Sequence, residues 1–64
     1  YDIETKELFV LFRNGKWYRY EDVPGTVVLG VLFADSVGTA FAKAVKAAGH
    51  VYEEINPEAY HLHV

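Results

Sequence analysis

At 64 residues the chain makes one domain, of a size that buries only about 60% of the surface its unfolded form exposes. It has no cysteine, which excludes a disulfide framework and a Cys-ligated metal, so a packed core drawn from its 52% apolar residues must hold it. The net charge of −3 argues against affinity from an overall positive field, though not against a local basic patch.

The chain opens on Tyr1 without an initiator Met, which suggests a piece excised from something longer. No signal peptide is read in the sequence, and its longest apolar run, "VVLGVLFA", is far too short to span a bilayer. The expectation is a soluble, cytoplasmic protein with no membrane partner and no cofactor. Domains this small often gain stability by oligomerising or by docking on something larger.

Residues 7–13 and 16–21 read as two strands joined at Asn14-Gly15. A two-residue turn there would pair Phe12 with Trp17 and mix polar with apolar on both faces. A three-residue loop, Arg13-Asn14-Gly15 with Gly15 left-handed, pairs Phe12 with Lys16, Val10 with Tyr18 and Leu8 with Tyr20. It gathers Leu8, Val10, Phe12, Tyr18 and Tyr20 on one apolar face, as a buried sheet needs, and is preferred. The other face then carries Glu7, Phe9, Leu11, Trp17 and Arg19, too apolar simply to meet water.

Residues 24–34 stay open between strand and helix. Val27, Val28 and Val31 are branched, yet Pro24 suits a first helical position and the apolar residues recur at a helical turn. Asp35 or Ser36 caps a helix running to about Ala48. Its inner face would be Val37, Ala40, Phe41, Ala44, Val45 and Ala48, with Lys43 and Lys46 pointing outward and Gly49 stopping it. "HVYEEI" and "AYHLHV" follow as an extended tail over 50–64, broken at Asn56-Pro57. Tyr60, Leu62 and Val64 alternate strictly with His61 and His63, so residues 60–64 are the expected third strand, in the same molecule or in a partner copy.

The spacing of Leu8, Val10, Phe12, Gly15, Tyr18, Tyr20, Val23-Pro24, Val27, Leu32, Ala34, Ser36, Gly38 and Phe41 resembles the KTSC domain, most specifically in "YRYEDVP" followed by "ADSVGTAF". The family takes its name from the carboxyl-terminal part of certain lysyl-tRNA synthetases. It also occurs as small free-standing proteins of bacteria, plasmids and phages. The resemblance covers residues 1–46. It implies one α+β domain over 1–64, a small antiparallel sheet packed on two short helices, and it reads residues 24–34 as helix. Family members usually carry a further strand before Tyr1-Asp2, whose loss would leave the hairpin an unpaired edge. Val28, Ala42 and Lys46 stand where the family usually has Tyr, Asn and Arg; if that Asn and Arg serve a shared ligand, it is lost or weakened here.

Catalytic chemistry finds little to work with. Ser36 reads as a helix cap, and the adjacent Glu53 and Glu54 face opposite sides of a strand. His61 and His63, with His50 or a Glu, make only a weak metal signal, so no metal site is expected. The expected function is a non-catalytic module that binds a protein, a partner or a second copy, through Phe9, Leu11, Trp17 and Arg19, in the manner of a small phage- or plasmid-type inhibitor. The alternative is a nucleic acid, RNA above all, held by Arg13, Lys16 and Arg19 with Trp17 as stacking platform.

Overall fold

The computed structural model describes residues 1–62. Strands β1 (Leu8–Leu11) and β2 (Trp17–Tyr20) form the hairpin, and β3 (Tyr52–Ile55) pairs antiparallel with β2, giving the order β1-β2-β3. Helices α1 (Gly25–Leu32) and α2 (Val37–Phe41) cross between the second and third strands. This is the α+β arrangement expected.

The hairpin takes the three-residue register. Leu8 pairs with Tyr20 and Val10 with Tyr18; the Phe12 N–H donates to the Lys16 carbonyl at 3.0 Å, and Gly15 sits at φ +85°. That angle admits glycine without strain and closes the loop as a bulge. Leu8, Val10, Phe12, Tyr18 and Tyr20 all turn to one face and meet the helices there. The centre of the core is Tyr20, Val23, Val28, Val31 and Val45, with Phe41 against it.

Residues 24–34 contain the helix Gly25–Leu32, with Pro24 just outside as the capping residue rather than as the first helical one. Ser36 caps α2, accepting from the Thr39 N–H. The second helix is not a single straight element to Ala48. After five residues it widens into a π-helical turn, Ala42–Lys46, marked by the Ala47 N–H donating to the Ala42 carbonyl at 3.0 Å. The widening delays the rotation of each later side chain about the axis. Ala40, Phe41, Ala44 and Val45 face inward as expected, but Val37 and Ala48 are exposed. Lys43 and Lys46 are exposed as expected, and the Lys46 ammonium lies 5.5 Å from the centre of the Phe12 ring. Gly49 ends the element at φ +80°.

Of the expected strand over residues 60–64, the described part, Tyr60–Leu62, does not pair as the third strand. That place belongs to Tyr52–Ile55, whose four residues face Trp17–Tyr20 in register. Tyr60 instead ends a 3-10 turn, Pro57–Tyr60, capped by Asn56, and His61 follows in left-handed conformation. The expectation for His63 and Val64 lies outside the described residues.

Candidate interaction faces

The outer face of the sheet is built by alternation. Leu11, Trp17 and Ile55 stand on one rung across all three strands, and Phe9, Arg19 and Glu53 on the next. Leu11 is exposed, while Phe9, Trp17 and Ile55 are half-buried. The 3-10 turn folds back over one end of this face, so that the Tyr60 ring lies 5.3 Å from that of Phe9. Of the sequence-derived protein-binding set, Leu11 and Trp17 remain open together, and Phe9 is shared with the chain's own carboxyl-terminal segment.

Arg19 is a structural clamp. Its guanidinium donates to Glu7 at 2.6 Å and to Glu53 at 2.7 and 3.1 Å, and reaches Glu21 at 3.5 Å; only 15% of its side chain is exposed. The hydrogen bonds to Glu53 and Glu7 push its pKa upward, against the opposing effect of burial, so it stays charged throughout. The carboxylates come from before β1, from β3 and from the end of β2, so one side chain ties the sheet together. Charge-assisted hydrogen bonds are worth about 1.5–3 kcal/mol each when covered and less when exposed. Arg19→Met is therefore expected to destabilise by about 1–2 kcal/mol, the carboxylates being left to repel one another. The loss should shrink in about 1 M salt, which screens that repulsion. Urea titrations at low and high salt check this, and an unchanged midpoint would count against it.

Of the residues proposed for nucleic acid, Arg13 is exposed on the hairpin loop and Lys16 lies 3.8 Å from Glu54. Trp17 faces outward beside Leu11 and Ile55. Glu53 and Glu54 do take opposite faces, one on Arg19 and one on Lys16. The Ser36 hydroxyl is occupied by its cap and by Thr39. The His50 ring nitrogen lies 3.1 Å from the Glu21 carbonyl, far from forming a cluster; among the described residues no three His, Asp or Glu side chains gather in metal-binding range.

A second apolar surface was not singled out in the sequence. Helix α1 buries Val28 and Val31, but flanking them it presents Leu29 at 56% exposure, Leu32 at 62% and, just after it, Phe33 at 84%; Val37, at the start of α2, is 47% exposed. From Gly25 to Ala34 the chain has no charged residue. The signal was present: a helix apolar all round, in a domain too small to surround it, must expose one side.

On the inner face, Tyr20 is only 3% exposed. Burial raises its phenol above the ordinary 10.0, and the neighbouring Tyr52 and Tyr18 phenols raise it further. The sign follows: the fold favours the neutral phenol, so this contribution is complete below pH about 10 and is lost as pH rises through the higher folded value. Ultraviolet titration should find Tyr20 among the last phenols to ionise, with Tyr20→Phe removing that late step and easing the alkaline loss of stability. A titration unchanged by Tyr20→Phe would contradict it.

The comparisons with known proteins agree with this architecture. The chain is 43% identical over 56 residues to a protein of Stutzerimonas stutzeri (strain A1501) described as uncharacterized, covering 88% of this chain and 79% of that one. Residues 1–52 match the KTSC domain, reaching six residues beyond the resemblance drawn from the sequence, through the π-helical turn to the first residue of β3. With its hairpin, two helices and closing strand, the chain belongs to the KTSC domain family.

Proposed function

We propose that the domain is a non-catalytic interaction module that binds another protein, a partner or a second copy, and that its principal docking ridge is the outer side of α1. One observation carries this reading. Leu29, Leu32 and Phe33 at the end of α1 and Val37 at the start of α2 are all substantially in water, and no charged residue lies between Gly25 and Ala34. Exposed apolar surface is unfavourable by about 25 cal/mol per Å², and contiguous patches of this kind mark association sites.

The outer face of the sheet is the second reading. Its supporting observation is the rung Leu11–Trp17–Ile55, which the core does not use. The helices pack on the inner face of the sheet, so the two surfaces are separate. A small inhibitor-type protein could hold a target on one and a second copy on the other.

The nucleic-acid alternative rests on Arg13, Lys16 and Trp17, because Arg19 is committed to three carboxylates. Glu54 beside Lys16 further lowers the local positive potential. Capture from the source cell's lysate, with and without nuclease, separates the readings. A protein retained after nuclease treatment supports the module proposed here. Retention that disappears with nuclease, or RNA binding that weakens steeply with salt, would replace it by the alternative.

A further inference from the structure

The inner face of the sheet does more than close the core. Phe12, Tyr18 and Tyr20 from the hairpin, Tyr52 from β3, Asn14 from the loop and Lys46 from the π-helical turn together line a cavity of about 390 Å³. Pockets that hold small molecules run from about 300 to 1,000 Å³.

The walls are aromatic and mutually braced. Tyr20 and Tyr52 stack with ring centres 5.3 Å apart, and Tyr18 meets Phe12 edge-on at 5.0 Å. The polar groups are almost all donors. Lys46 brings an ammonium that makes no ion pair among the described residues, its one close partner being the Phe12 ring. The Asn14 carboxamide spends its oxygen on the Lys16 N–H, leaving its NH₂ to donate. Tyr20, though almost wholly buried, has no hydrogen-bond partner for its hydroxyl among the described residues, and that hydroxyl is not sealed off from solvent. Tyr20 is among the residues that line the cavity. Among the described residues no carboxylate lines the cavity, in a chain of net charge −3. Glu54, opposite Tyr18 on this face, is paired with Lys16.

Core packing accounts for Phe12, Tyr18 and Tyr20 but not for Lys46. That residue closes the π-helical turn, and its exposed side chain sets the ammonium 5.5 Å from the Phe12 ring at the cavity edge. Such turns recur at functional sites because they re-aim a side chain without breaking the helix.

We infer that this cavity is a binding site for a small aromatic anion, a planar ring carrying a phosphate or carboxylate. The ring lies among Phe12, Tyr18 and Tyr52, and the anionic group meets the Lys46 ammonium, the Asn14 NH₂ and the Tyr20 hydroxyl. The site is independent of the α1 ridge, and either reading can fail without the other.

The test is a titration followed by amide chemical shifts. The aromatic anions are AMP, UMP, phenyl phosphate and benzoate; adenosine supplies a ring without charge and ribose 5-phosphate a charge without an aromatic ring. At least one aromatic anion should give saturable shifts at Phe12, Tyr18, Tyr20, Lys46 and Tyr52, binding about tenfold tighter than either control. The preferred anion then tells phosphate from carboxylate and nucleotide from simple ring. Lys46→Gln, at an exposed position, should leave the spectrum folded and weaken that anion about tenfold, as loss of a charge-assisted hydrogen bond does, with adenosine unaffected. Tyr52→Ala should weaken every aromatic probe. The proposal is overturned if none of the four anions saturates in the millimolar range, if ribose 5-phosphate binds as well, or if the shifts gather at Arg13 and Lys16 instead.

Discussion

Phe41→Ala is expected to destabilise the domain by about 2–4 kcal/mol, the largest effect of any single truncation on the inner side of α2. The Phe41 ring meets Tyr20 edge-on at 5.3 Å and Phe12 at 5.9 Å. It is thus the aromatic link between the second helix and both hairpin strands. Its removal leaves a void beside the most buried tyrosine, where α2 is too short to shift and refill it. A domain of this size has only a few kcal/mol of stability in total, so the variant should be largely unfolded near 37 °C. Thermal and urea denaturation of the two proteins check this. A loss under about 1 kcal/mol would mean that this part of the chain is docked chiefly through Val45 and Ala44 of the π-helical turn.

Phe33→Glu should do the opposite, leaving the isolated domain intact while removing its association. At 84% exposure the side chain contributes little to the monomer, so the change in stability should stay within about 0.5 kcal/mol. In a dry interface the new carboxylate would lie against Leu29, Leu32 and the partner's apolar surface. Loss of a central aromatic anchor is worth about 2 kcal/mol or more, roughly thirtyfold in affinity, and an unpaired charge adds to it. Trp17→Ala on the sheet's outer face is the matching control for the second reading.

The contrast between these two phenylalanines marks what was legible in the sequence. The hairpin was legible because its information is local: Asn14-Gly15 dictates the loop, and the alternation of apolar residues fixes the register. Ser36 and Gly49 were legible for the same reason, as short-range backbone signals. The third strand was not. Glu53 and Glu54 make Tyr52–Ile55 look polar, and their partners, Arg19 and Lys16, are 34 and 38 positions earlier and known only once the strands are paired. Strict alternation from Tyr60 to Val64 offered a more strand-like pattern, but Pro57 and the left-handed His61 turn the described part of that segment back over Phe9.

Nor could α1 be divided into inner and outer sides beforehand. Val28, Val31, Leu29 and Leu32 are chemically alike, and only the position of the sheet decides which pair is buried. The same holds for the inner-face cavity. Lys46 reads as a solvated helix residue until the π-helical turn is seen, and no local sequence feature announces that turn.

The central claim, a protein-binding module docking through α1, is tested most directly by one comparison. Nuclease-treated lysate is passed over the wild-type domain, Phe33→Glu and Trp17→Ala, each first verified as folded, and the retained proteins are weighed against one another. The account predicts a protein held by the wild type and by Trp17→Ala but lost from Phe33→Glu. Equal retention by all three, or loss from Trp17→Ala alone, would contradict it.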